Sequence, residues 1–266
     1  YRWRADRVRP PLERNLRLIK RGLAPTAHFI DVWSSIGPYD AWTRDGAFHD
    51  RLGTRRIWGE AFAWIRDLLG DDAPQLSESG HDALIGWLDG ATANHLRVDR
   101  APQGEYGWSV WDIRAADAER IPWFDAAHHD RFITHGAGYE PRYAAGLDEA
   151  THGIYSDDYA ATEVLTGHPP MVKDVFNADV VRASWRLHDA MRALALKRIE
   201  RVEFAEGDLH RQRVVWEHGE VLVNRGKDDW AVDGAVLPPY GYRVRVQGAV
   251  EAAFERKNGA LVERCR

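Results

Sequence analysis

The chain has 266 residues, with 36 basic against 41 acidic side chains, a formal net charge of −5 and a pI near 6.2. That balance lacks the basic surplus a general nucleic-acid binder uses to displace counterions, and 44% hydrophobic content is that of a globular chain rather than a disordered one. No apolar run approaches the roughly 18 residues of a membrane helix, and the one cysteine, Cys265, excludes an intrachain disulfide and a cysteine-based zinc site. Tryptophan and histidine are abundant, 12 of each, and tryptophan serves binding surfaces as well as cores because its flat face stacks and its N–H donates. The sequence opens on Tyr1 without a charged-then-apolar pattern, and the compartment is not legible from it.

Taken in chain order, Pro11 to Gly22 reads as a helix striped by Leu12, Leu16, Leu18 and Ile19, with Gly22 as its stop. Residues 27–33, AHFIDVW, read as a short buried strand followed by a loop through Tyr39. Thr54 is placed to cap an amphipathic helix from Arg55 to Leu69, closed by Gly70. Residues 74–78, PQLSE, read as a second strand, and a helix is expected from Asp82 to about Asp89. A third strand is expected over 93–98, a polar surface excursion over 100–120, and a strand or strand end over 121–125 that opens into a histidine-rich loop. A long helix covers Asp179 to Lys197. Beyond it, 202–204, 213–217, 220–224 and 242–246 alternate with period two between turn residues, the pattern of antiparallel strands.

Short buried strands alternating with helices predict parallel βα units in the first part of the chain. A complete eightfold barrel takes about 200–250 residues, and only about four or five units are legible. The expected fold is therefore α/β: the C-terminal half of a TIM-type (β/α)8 barrel over residues 1–198, then an antiparallel β domain over 199–266, with the first half of the barrel lying outside this sequence.

In parallel sheets chemistry sits at the C-terminal strand ends, which selects Asp31, Glu78 and Asp125. Asp31 interrupts an apolar run beside Trp33, and Glu78 stands among the small residues Ser77, Ser79 and Gly80. Either could simply cap a loop. Neighbouring strands are under 5 Å apart, so two such carboxylates approach each other. One can then attack an anomeric carbon or activate water while the other, kept protonated by its neighbour and an apolar wall, serves as the acid. His81 and Asp82 are placed to meet substrate hydroxyls, though Asp82 equally suits a helix cap. Trp123, Asp125 and His128 are further candidates for substrate contact. His128, His129, Asp130 and His135 form the densest metal-like cluster, yet adjacent histidines on an extended segment point to opposite faces. No glycine-rich phosphate loop and no GxSxG elbow is present, and neither a cofactor nor a metal is expected.

Three segments together carry a resemblance: 29–33 (FIDVW), 56–62 (RIWGEAF) and 77–82 (SESGHD). They resemble the catalytic half of barrel glycosidases related to the α-N-acetylgalactosaminidase families, endo-acting and exo-acting, over roughly residues 10–200. The resemblance implies Asp31 as nucleophile and Glu78 as acid/base of a retaining hydrolase acting on an α-linked galactose or N-acetylgalactosamine type sugar. It also implies that the tail, with 221–224 (VLVN) and 237–242 (LPPYGY), is the β-sandwich that follows the barrel. Two competing readings are a metal-dependent barrel hydrolase built on His128, His129 and His135, and a carbohydrate-binding protein without activity.

Overall fold

A computed structural model of the chain describes residues 7–78, 80, 82–92, 123–135, 148–169, 177–247 and 249–265. The chain divides into two compact units, Tyr1–Thr92 and Ala93–Arg266. Together they are of mixed α/β class, with a parallel sheet in the first and an antiparallel sheet in the second.

The first unit runs α1 (Arg9–Leu23), β1 (His28–Ile30), a small hairpin of β2 (Ala41–Trp42) and β3 (Phe48–His49), α2 (Arg51–Leu69), β4 (Gln75–Ser77) and β5 (Gly90–Thr92). Prolines at the start of α1 cost no hydrogen bond there. The helix passes Gly22 and closes one residue later, where Ala24 at φ 45° returns its N–H to the Lys20 carbonyl. The cap of α2 is Asp50, whose Oδ1 accepts from Gly53 N–H at 2.7 Å, and not Thr54. Thr54 lies inside the helix, and its hydroxyl instead donates to the Tyr39 carbonyl at 2.7 Å, tying the preceding loop to the helix. Trp58, Phe62 and Ile65 form the buried stripe of α2, as their spacing requires.

β4 lies parallel to β1 and β5 parallel to β4. The helix expected from Asp82 to Asp89 is only a 3-10 turn, Asp82–Leu84. Gly86 at φ 88° breaks it, and the Asp89 carboxylate is drawn back to Gln75 N–H and Arg66, both at 2.7 Å. The strand expected over 93–98 and the excursion over 100–120 fall outside the described residues.

The second unit contains α3 (Trp123–His128), β6 (Ile133–His135), α4 (Glu149–His152), α5 (Asp157–Thr166), α6 (Ala178–Leu194) and β7 to β14. The strand expected to end at Asp125 is thus a helix. Pro122 precedes it, Asp125 lies in its first turn where a negative charge is favoured, and two alanines follow. Helix α5 has no counterpart in the sequence reading. Ser156 caps it and Gly167 closes it at φ 74°, but eight of its ten residues are buried, so it carries no amphipathic stripe to read. Helix α6 stops at Leu194 rather than at Lys197, because Ala195 turns extended and Leu196 takes φ 55°.

The sheet comprises β7 (Ile199–Phe204), β8 (Arg211–Trp216), β9 (Gly219–Asn224), β10 (Trp230–Val232), β11 (Ala235–Leu237), β12 (Tyr242–Val246), β13 (Ala249–Lys257) and β14 (Ala260–Cys265). Its order is β10-β11-β13-β12-β9-β8-β7, with β14 also on β13. One face buries Val214, Trp216, Val221, Val223, Val244 and Phe254 against Leu187, Met191 and Leu194 of α6 and Val164 and Leu165 of α5. The period-two alternation foretold this sheet because one face must be apolar to meet the helices.

Gly59 is the close-approach point of α2: a Cβ there would overlap the fused edge of the Trp87 indole. An alanine adds about 1 kcal/mol of helix propensity, whereas overpacking costs about 1–3 kcal/mol. The clash involves the ring body rather than a flexible tip, so the second effect wins. Gly59→Ala is expected to lower stability by about 1–2 kcal/mol in urea unfolding; a stabilised variant would show that Trp87 is free to move aside.

Candidate active site

Ile30 of β1 and Ser77 of β4 are register partners across the parallel ladder. The next residue on each strand is a carboxylate, Asp31 and Glu78, so the two leave the sheet at the same end and one strand spacing apart. The strand ends are fastened below them. The Ser77 hydroxyl donates to the Ile30 carbonyl at 2.5 Å, and the Thr92 hydroxyl of β5 donates to the Glu78 carbonyl.

Between the carboxylates stands one backbone amide. The Val32 N–H donates to Asp31 Oδ1 at 3.0 Å and to Glu78 Oε2 at 3.1 Å. Laid end to end, the two distances cap the separation of these oxygens at 6.1 Å. The backbone that aims this amide is unusual. Trp33 N–H donates to the Asp31 carbonyl at 2.8 Å, closing a three-residue γ-turn centred on Val32 at φ 68°, ψ −36°. A β-branched residue at positive φ is a genuine outlier, and the γ-turn of this hand is rare and strained. Such strain persists only where the surroundings over-determine it.

Those surroundings are aromatic. Trp33 stacks on Trp58 at 5.9 Å and meets Phe62 edge-on at 5.7 Å, while Tyr39 meets Trp58 at 5.9 Å. Ser34 is buried as well. The turn is thus gripped from its C-terminal side, while Val32 stays 44% exposed, Asp31 exposed and Glu78 half-buried. The result is a solvent-accessible carboxylate pair on a rigid base, an arrangement suited to nucleophilic or acid–base work on a bound substrate.

The other sequence candidates lie on different elements. Asp82 is exposed in the 3-10 turn that follows Glu78, and Arg55 of α2 holds that turn through the Ala83 carbonyl. His81 lies outside the described residues, as do the side chains of Trp123 and His135. Asp125 is not at a strand end. It is buried in α3, where His168 Nε2 lies 2.6 Å from its Oδ1, and the other ring nitrogen of His168 lies 3.7 Å from Glu163. His128 packs against Phe124 at 5.1 Å. His129 points both ring nitrogens at backbone carbonyls, Lys197 at 2.9 Å and Gly167 at 3.3 Å, and sets its ring against Trp216 at 4.6 Å. Its nitrogens are therefore engaged by the fold.

Sequence reading missed three contributors: Val32, Ser77 and Thr92. Ser77 was legible only as a small neighbour of Glu78, and Thr92 reaches the site through sheet pairing that no local pattern encodes. A valine at positive φ runs against every local preference.

No family model matches the sequence, and no curated protein matches it. Solved structures do match. The ligand-free α-N-acetylgalactosaminidase NagBb from Bifidobacterium bifidum is 19% identical with a TM-score of 0.57, over 80% of this chain and 32% of that one. The same enzyme in its Gal-NHAc-DNJ complex is 17% identical with a TM-score of 0.63, over 83% of this chain and 34% of that one. This chain therefore shares the fold of a part of that glycosidase, and spans about a third of its length.

Two outcomes test the geometry. Strain at Val32 is worth about 1–3 kcal/mol, against about 0.5–1 kcal/mol for the extra freedom of a glycine. Val32→Gly, which keeps the N–H, is expected to raise stability by about 1 kcal/mol in urea unfolding, and Val32→Ala, still strained, to bring no gain. A destabilised Val32→Gly would show a relaxed turn.

For His168, burial opposes the charged imidazolium, but Asp125, and Glu163 beyond it, hold the pKa above the ordinary 6.5. A raised folded-state value means that the pair's contribution is complete below pH 6.5 and is lost as pH rises through the raised value. Asp125→Asn should cost on the order of 3 kcal/mol on the acidic side, and the gap from wild type should narrow on titration upward from neutrality. A gap that widens with pH would contradict the assignment.

Proposed function

We propose that the chain carries the carboxylate pair of a retaining glycoside hydrolase acting on an α-linked sugar of the galactose or N-acetylgalactosamine type. The observation that carries this reading is the Val32 amide shared by Asp31 and Glu78, which caps their oxygen separation at 6.1 Å. Retaining enzymes hold their carboxyl groups about 5–5.5 Å apart and inverting enzymes about 6.5–9.5 Å apart, and the bound on this oxygen pair is compatible with the retaining spacing. The structural likeness to part of an α-N-acetylgalactosaminidase supports the reaction class and the sugar. In this reading residues 1–198 belong to the C-terminal half of a (β/α)8 catalytic barrel and 199–266 to the β-sandwich domain that follows it.

Asp31, the more exposed of the two, attacks the anomeric carbon while Glu78 gives its proton to the departing glycosidic oxygen. The carbon–oxygen bond to the leaving group breaks as the Asp31 ester forms. Glu78, now a carboxylate, takes a proton from water, and the resulting hydroxide displaces Asp31 and restores the pair. Trp33 and Asp82, which follow the two strands, are assigned to substrate contact, with His81 assigned from its place in the sequence beside Asp82; Asp125, buried against His168, is not. The metal-hydrolase alternative draws no support from His129, whose ring nitrogens face carbonyls.

The test compares Asp31→Ala and Glu78→Ala on nitrophenyl and natural α-glycosides. Asp31→Ala should lose nearly all turnover on both. Glu78→Ala should lose about 10²–10⁴-fold where the leaving group needs a proton and much less on the nitrophenyl substrate, with azide accelerating the latter to a product of retained configuration. Rescue of Asp31→Ala with retained stereochemistry instead would exchange the roles. Losses under about tenfold, or 1.4 kcal/mol, in both variants would make the carboxylates structural and favour a non-catalytic carbohydrate-binding protein.

A further inference from the structure

A recess lies wholly within the second unit, at one end of the antiparallel sheet. It is a groove of about 820 Å³ whose walls are the turn before β8, the β9–β10 loop and the β11–β12 loop, with His152 of α4 alongside. One buried side chain organises two of these loops. The Asn224 amide donates to the carbonyls of Asp228, Leu237 and Pro238 at 2.8, 2.8 and 3.1 Å, and its oxygen accepts from Gly226 N–H at 2.9 Å. The turn before β8 is joined to them where Arg225 N–H donates to the His210 carbonyl at 2.7 Å. The floor is a buried ionic chain: the fully buried Arg225 guanidinium donates to Asp158 at 2.8 Å and Thr162 at 2.6 Å, and Asp158 meets His152 at 2.8 Å.

The charges of this groove nearly cancel, with Arg211, Arg225 and Lys227 set against Glu206, Asp208, Asp158 and Asp228. Arg225 is matched by Asp158, and Arg211 by Asp208 at 3.4 Å and Glu206 at 2.9 Å. Lys227 lies beside Asp228 in sequence, and neither side chain has a hydrogen bond or ion pair among the described residues. A site for an anion or a cation would show a surplus of one sign. This one offers directional donors and acceptors of both kinds with almost no net field. Its remaining wall is Pro239 and Tyr240, an apolar flank with a ring. Tyr240 is held at φ 58°, and backbone strain of this kind clusters at ligand clamps. Balanced polar groups beside an aromatic face suit a neutral polyol, whose hydroxyls both donate and accept and whose C–H face stacks on a ring.

We propose that this groove, lined by residues of the second unit, is a binding site for a neutral sugar. The groove's own lining carries the inference, while the choice of galactose and N-acetylgalactosamine as probes and of the double-alanine host rests on the hydrolase reading. The full chain carrying Asp31→Ala and Glu78→Ala, which cannot turn sugar over, is titrated with galactose, with N-acetylgalactosamine and with sodium sulfate by calorimetry and NMR. A saturable sugar site is expected. Tyr240→Ala in that host should weaken it about tenfold or more, and Lys227→Ala and Asp228→Ala should each weaken it about three- to tenfold. Sulfate should not compete. Lys227 is exposed, so its variant keeps the test decisive should Tyr240→Ala fail to fold. Unchanged sugar affinity in the folded variants, displacement of the sugar by sulfate, or no saturation up to about 50 mM would each overturn the proposal.

Discussion

Ile30 and Ser77 face each other across two parallel strands of three residues each, and the candidate site follows from that pairing. Parallel register places successive residues of neighbouring strands side by side, so the residues that follow the pair must emerge together. A slip of one residue would turn the Glu78 side chain to the other face of its strand and leave Asp31 without a partner. Three-residue strands have little ladder with which to resist such a slip. The Ser77 hydroxyl on the Ile30 carbonyl and the Thr92 hydroxyl on the Glu78 carbonyl add restraint at the strand ends, where it is most needed.

The strained turn at Val32 extends the same constraint from backbone to side chains. Its amide serves two acceptors at once, fixing Asp31 and Glu78 against one point instead of leaving each to find its own rotamer. The conformational cost, about 1–3 kcal/mol, is offset by packing of the next residue: Trp33 lies against Trp58 and Phe62, both anchored in α2. The aromatic richness of this stretch therefore has a mechanical role. The same helix supplies Arg55 to the turn beyond Glu78 and Thr54 to the loop beyond Asp31, so α2 holds the segment that follows each carboxylate.

The second unit solves a different problem, the burial of charge. Asp158, Glu163, Arg225 and His168 are all nearly inaccessible. Arg225 with Asp158, and His168 with Asp125 and Glu163, are compensated across elements distant in sequence. A buried ion pair adds little net stability over a well-packed apolar pair, but removing one partner is costly. The pairs therefore bind α3, α5 and the β9–β10 loop to one arrangement rather than merely strengthening it. This explains why α5 is nearly all buried yet carries carboxylates: they are the sockets for Arg225 and His168.

The sequence by itself determined the period-two strands from about residue 202 onward, the amphipathic α2 and α6, and the two carboxylates placed just past short strands. Each is a local regularity, written in side-chain spacing because one face must meet a core. Tertiary structure alone decided the rest. Asp125 looked like a strand-end acid because the five residues before and through it are apolar enough for either element, and only the buried partner His168 shows why it belongs in a helix. Thr54 looked like a helix cap, but Asp50 competes for the same N-terminus and the Tyr39 carbonyl claims the threonine hydroxyl. Helix α5, enclosed on nearly every side, had no exposed face to give it a stripe. Above all, the positive φ of Val32 opposes the residue's own preference and is held by packing further along the chain, at Trp58 and Phe62. Local patterns record what a residue prefers, and this site is built where distant contacts overrule that preference.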